Sequence, residues 1–172
     1  MSSHAPWVIA PPRKGLVVGV ADMIASNDPA AEIVTHSLGS CLGVMIYDPL
    51  RKVGGLLHFM LPDSTIDPIK AVKSPFMFAD TGLPRLFRAV YGLGGDKNRL
   101  QVKVAGGARF LDDQRLFNIG SRNVTALNDI LARNGVSAVA MEVGGQTSRT
   151  VRLDLSNGQV SIRTPGQNTY LI

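Results

Sequence analysis

Residues 33–49, "IVTHSLGSCLGVMIYDP", hold two apolar runs joined by a Leu-Gly-Ser-Cys connection. Both runs, "EIVTHS" and "LGVMIYD", have the β-branched and aromatic content of buried strands, and the small residues between them mark a turn. The connection carries Cys41, the single cysteine in 172 residues. Two readings fit that thiol: a small hydrophobe in a core, or a nucleophile held at a strand end.

Working outward, "LVVGVAD" upstream is a short β-branched run, and "VGGLLHFMLP" downstream is another, stopped by Pro62. The polar, Pro-containing "DSTIDPIKAVKSP" reads as a solvent-facing or lid-like loop. "FADTGLPRLFRAVYGLGG" reads as a helix with Leu83, Leu86, Phe87 and Val90 on one face and a glycine stop. "LQVKVAGG" is a strand, and "SRNVTALNDILARNG" a second helix burying Val124, Leu127, Ile130 and Leu131. "VSAVAMEVGG", "RTVRLDL" and "QVSIRT" complete the strands, the last two paired across the turn "SNG". Many strands, two helices and an antiparallel end predict a mixed α+β fold: a β-sandwich-like pair of sheets flanked by helices, and not a doubly wound sheet. Residues 1–14 are Pro-rich and aperiodic, which predicts a flexible N-terminal extension ahead of one domain over 15–172.

The formal charge is +5 and the pI near 9.7, but the basic residues are scattered and form no block. No zinc-finger, RNP or basic-zipper pattern accompanies them, so nucleic acid is not an expected partner. No run reaches the ~20 apolar residues of a membrane span, and the start lacks a secretory pattern. A lone cysteine suits a reducing compartment, and a cytoplasmic protein is expected. "VAGGARF" and "VGGQT" are neither dinucleotide nor P-loop signatures, so no nucleotide cofactor is indicated.

The chemistry concentrates around Cys41. It follows Gly39 and Ser40, where a turn between strands can aim backbone N–H groups at a developing oxyanion. His58 lies seventeen residues downstream in the apolar run "GGLLHFML". It is either a core imidazole bonded to a carbonyl or, if the two strands pair, a base facing the thiol; an imidazolium there would lower the thiol pKa. Thr35 carries a hydroxyl at the end of the preceding strand: either a β-former or the group that orients the ring. Alternation turns His36 to the opposite face. Cys41, His36 and His58 lack zinc-site spacing, so no metal is expected, and "GSCLG" is not a serine nucleophile elbow.

"LGSCLGVMIYDP", "GGLLHFMLPDS", "FADTGLP", "KVAGGARF", "NIGSRNV" and "VGGQTSR" occur in that order, and together they closely resemble the CheD family of chemoreceptor glutamine deamidases, from about Gly15 to Ile162. The resemblance implies a fold similar to the catalytic domain of cytotoxic necrotizing factor toxins. It also implies a catalytic set of Cys41, His58 and Thr35 that hydrolyses selected glutamine side chains to glutamate on the cytoplasmic helices of methyl-accepting chemoreceptors, without a cofactor. Ser40, Gly39, Gly106 and Gly107 are the expected oxyanion or pocket residues. A further partner implied is the phosphatase CheC, and the alternative role is a non-catalytic adaptor binding CheC and receptors. Arg85, Arg88 and Arg149 are either contacts for the Glu-rich receptor helices or ordinary solvated charges. The chain departs from the family pattern at His36-Ser37, where Leu-Gly is common, at Gly82 for Ala, and at Glu142 for Asp.

Overall fold

Side chains that alternate or run continuously apolar form ten strands in this computed structural model, which describes residues 13–109 and 118–172. In chain order they are β1 (Lys14–Val18), β2 (Asp22–Ser26), β3 (Ala31–Leu38), β4 (Leu42–Asp48), β5 (Val53–Phe59), β6 (Gln101–Gly106), β7 (Ala138–Val143), β8 (Arg149–Asp154), β9 (Val160–Arg163) and β10 (Tyr170–Leu171). Three α-helices accompany them among the described residues: α1 (Pro68–Lys73), α2 (Ala79–Gly92) and α3 (Ile119–Arg133). One sheet has the order β1-β3-β8-β9-β10 and the other β2-β5-β4-β6-β7. Each is mixed: β1 runs parallel to β3 and β6 to β7, and every other pair is antiparallel. The expected α+β sandwich with flanking helices is observed.

Two apolar layers hold this together. Ile33, Leu38, Val151 and Leu153 of the first sheet meet Met45, Leu56 and Ala105 of the second, so the sheets stack face to face. The other face of the second sheet, through Leu42, Val44, Leu57 and Phe59, packs on Leu83 and Leu86 of α2 and Leu127 and Leu131 of α3. With both faces covered, β4 and β5 are buried at every residue. That is why their sequences read as unbroken apolar runs and not as alternation.

Several elements differ from expectation. "LVVGVAD" is not one strand: β1 ends at Val18 and the chain crosses to the second sheet as β2. The polar loop contains α1, capped by Asp67, whose carboxylate accepts from the Lys70 amide; one and a half turns are too short to show helical periodicity. In α3, Gly120, Asn123, Leu127 and Leu131 are buried, whereas Val124 and Ile130 are only partly so. Lys14 already belongs to β1 and Arg13 pairs with Asp154, so the last two residues of the expected extension join the folded domain. The rest of the expected extension lies outside the described residues. No helix among the described residues is long and apolar enough to cross a membrane.

The far end of the sandwich is tied by Asp48, which is fully buried. Its carboxylate accepts from the amides of Leu50, Arg51 and Asp96 and from the guanidinium of Arg99 at 2.8 Å. Burial pushes its pKa up, but Arg99 and the three amides outweigh that and hold it at about 2. The stabilisation is therefore complete above the unfolded value near 4 and disappears as pH falls through about 2. Asp48→Asn is expected to lose about 2–3 kcal/mol at neutral pH. Urea midpoints for the two proteins should converge as the pH is lowered; a pH-independent difference would refute the assignment.

Candidate active site

Two links pass from the first sheet to the second at the same end of the sandwich: residues 19–21 between β1 and β2, and residues 39–41 between β3 and β4. Register places the polar residues there. Val18 pairs with Thr35 in one sheet, and His58 lies between Asp22 and Gly43 in the other. Thr35 and His58 both point into the space between the sheets and are essentially unexposed. Gly43, directly opposite His58, contributes no side chain. Cys41, two residues along, shares that face and packs on the inter-sheet core, part-buried. The opposite face is accounted for by Leu42, which faces the helices.

Hydrogen bonding defines the ring's tautomer. Thr35 donates its one hydroxyl proton to the Val18 carbonyl at 2.9 Å, so its oxygen accepts from His58 Nδ1, 2.8 Å away. The proton therefore resides on Nδ1, and Nε2 presents a lone pair. Nε2 is buried with no hydrogen-bond partner among the described residues, the Cys41 sulfur included. The ring's Nδ1 partner is a neutral hydroxyl, and the Asp22 carboxylate accepts from the Met23 amide.

The electrostatics correct one expectation. Burial pushes the His58 pKa down to about 4 and the Cys41 thiol up, the latter only partly offset by its own backbone N–H. The resting pair is thus thiol and neutral imidazole, not a preformed thiolate–imidazolium. Because folding disfavours the protonated ring, His58 stabilises fully above about pH 6.5 and progressively less towards pH 4. Alkylation of Cys41 by iodoacetamide is expected to climb with pH up to and beyond the ordinary thiol value of 9.0. A rate plateau at about pH 5–7, the signature of an ion pair, would contradict this.

The connection carrying Cys41 is anchored from behind. The Gly39 carbonyl accepts from the Ala108 amide at 2.8 Å, and the Cys41 carbonyl from the Gly107 amide at 2.8 Å. Between them, the Ser40 carbonyl accepts from Asn123 Nδ2 at 3.0 Å. Gly106 must be glycine: its φ is +114°, and a Cβ would sit 2.3 Å from the Cys41 oxygen. Gly106 and Gly107, expected among the oxyanion or pocket residues, therefore brace the Cys41 backbone, and the Gly107 N–H is already engaged. Gly39 and Ser40 precede the thiol in the same connection, and the N–H groups of Ser40 and Cys41 have no backbone acceptor among the described residues.

Other expectations separate cleanly. His36 is exposed on the outer face, as alternation required. Arg85 and Arg88 are exposed on α2, but Arg149 is only 5% exposed. Its guanidinium donates to the Gly144 carbonyl at 2.9 Å and lies 3.5 Å from Glu142, so it is an internal brace and not a surface charge. Asn123 is the site residue that sequence reading missed. Its signal was a polar residue on the buried 120-123-127-131 stripe of α3.

The architecture and this site define a class: a two-sheet α+β protein with a thiol and a hydroxyl-locked imidazole at one end of the sandwich. A family model described as CheD chemotactic sensory transduction matches residues 60–164. The chain is 45% identical over 157 residues to the probable chemoreceptor glutamine deamidase CheD of Solibacter usitatus, covering 91% of this chain and 93% of that one. It is 46% identical over 151 residues to the probable chemoreceptor glutamine deamidase CheD 1 of Syntrophus aciditrophicus, covering 88% and 94%. It is 47% identical over 152 residues to CheD 2 of Anaeromyxobacter dehalogenans, covering 88% and 96%. The chain belongs to the CheD family.

Proposed function

We propose that this protein hydrolyses selected glutamine side chains of chemoreceptors to glutamate, with Cys41 as nucleophile, His58 as base and Thr35 as the group that sets the ring. The observation that carries the mechanism is the Thr35–His58 hydrogen bond, which leaves Nε2 free on the face shared with the only cysteine. The names of the relatives support the substrate class.

His58 Nε2 takes the thiol proton as sulfur bonds to the amide carbon, giving a tetrahedral oxyanion. Collapse breaks the C–N bond, and the imidazolium proton leaves with ammonia, producing a thioester. Nε2 then removes a proton from water as its oxygen attacks; the C–S bond breaks, and the proton returns to sulfur. The net change consumes one water and releases ammonia and a carboxyl group. Because the resting thiol is neutral, proton removal accompanies attack. The N–H groups of Ser40 and Cys41 receive the oxyanion.

The same reading makes residues 15–172 the deamidase unit, in the cytoplasm where receptor helices are modified, with a fold akin to the cytotoxic necrotizing factor catalytic domain. CheC is a further partner on the family resemblance. Incubation of a receptor cytoplasmic fragment with the protein, followed by peptide mass spectrometry, tests the activity. Conversion of NH₂ to OH at particular glutamines is expected. An unmodified fragment in the presence of folded protein sinks the proposal.

A further inference from the structure

We propose that Asn123 is a positioning residue that aims the Cys41 N–H at the reacting carbonyl and holds the nucleophile's link to the strand carrying the base. The inference rests on Cys41 being the nucleophile. Asn123 is completely buried in α3, on a stripe otherwise made of glycine and leucine. Its Nδ2 donates to the Ser40 carbonyl at 3.0 Å and to the Met60 carbonyl at 2.8 Å. Both partners are acceptors, so the amide can face only one way: reversed, its oxygen would meet two carbonyl oxygens. Ser40 immediately precedes Cys41, and Met60 follows His58 by two residues. One side chain therefore ties the nucleophile's connection to the end of β5.

The orientation follows from peptide geometry. There is no cis peptide bond among the described residues, and in a trans peptide the C=O and N–H point in opposite directions. Drawing the Ser40 carbonyl towards α3 turns the Cys41 N–H away from the helix. The Ala108 amide does the same for the peptide ahead of it, turning the Ser40 N–H outward. Two adjacent donors are thus directed to the unbraced side of the link. The Asn123 Oδ1 is buried without a partner among the described residues, so only the donor half of this amide is used.

Three proteins, wild type, Asn123→Ala and Cys41→Ala, are compared on a receptor cytoplasmic fragment by ammonia release, alongside iodoacetamide alkylation of Cys41 in the first two. Asn123→Ala is expected to lower kcat at least tenfold, with KM and alkylation rate each within threefold of wild type. Alkylation needs the sulfur but no oxyanion donor, so a merely collapsed site would lose both. Retention of kcat within threefold, or parallel loss of kcat and alkylation, overturns the inference. An active Cys41→Ala would overturn the thiol reading itself, whereas an inactive one beside a fully active Asn123→Ala overturns only this assignment. Should Asn123→Ala not fold, Asn123→Ser, which keeps one donor, carries the comparison. On the wild type, a short peptide bearing an aldehyde in place of the glutamine carboxamide adds the Cys41 thiol across its C=O. The Cys41 amide proton should then move downfield in NMR spectra, and an unmoved resonance refutes the aimed donor.

Discussion

Cys41→Ala is expected to reduce glutamine hydrolysis by about 10⁴-fold or more while leaving the fold intact. On the proposed mechanism the size follows from covalent catalysis: without sulfur no thioester forms, and water must attack an amide with only the oxyanion donors and the ring to help. The fold survives because the side chain is small and part-buried, and because the link it sits on is braced through backbone carbonyls. Truncating a part-buried thiol to a methyl costs little packing beside the Leu38 and Met45 layer. Initial rates of ammonia release, with circular dichroism and thermal melting as folding controls, measure it. A variant that still turns over at a substantial fraction of the wild-type rate would remove the thiol from the mechanism.

The second large effect belongs to Thr35. Thr35→Val keeps the β-branched shape but removes the hydroxyl, leaving the Val18 carbonyl without its donor and His58 Nδ1–H without its acceptor. The ring then has no reason to keep its proton on Nδ1; the other tautomer places a proton on Nε2, where the proposed base must be bare. By analogy with losing the orienting member of a triad, activity is expected to fall by about 10²–10⁴-fold. Stability should drop by about 1–3 kcal/mol for the unsatisfied buried groups. Thr35→Ser, which restores the hydroxyl, should recover most of the rate. Equal activity of the Val and Ser variants would show that Thr35 is only a strand former.

Local physics made much of the fold legible. The continuous apolar runs of β4 and β5 announced a sheet covered on both faces, and the three- and four-residue spacing of Leu83, Leu86 and Val90 announced the buried face of α2. The SNG turn marked the β8–β9 hairpin, now seen pairing Thr150 with Arg163 and Leu153 with Val160. What failed were features lacking a long local signature. The break in "LVVGVAD" depends on which sheet each half joins, and α1 is held by its Asp67 cap at a length where periodicity is silent. Arg149 carried a surface residue's chemistry, yet three-dimensional packing placed it beneath the Gly106 and Gly144 carbonyls.

Sequence alone determined which chemical groups are present: one thiol, an imidazole in an apolar run, a hydroxyl six residues before the sulfur, and small residues where backbone must come close. Residue type and period-two alternation sufficed for that, because both act over a few residues. Tertiary structure decided what those groups are to one another. The link that crosses between sheets puts Thr35 and His58 within hydrogen-bonding distance although they are 23 residues apart in the chain. Burial keeps thiol and ring neutral, and a helix more than 80 residues downstream reaches back to the Ser40 carbonyl. Distance, desolvation and the direction of a peptide plane arise only when separate strands and helices are packed together, and no local pattern records them.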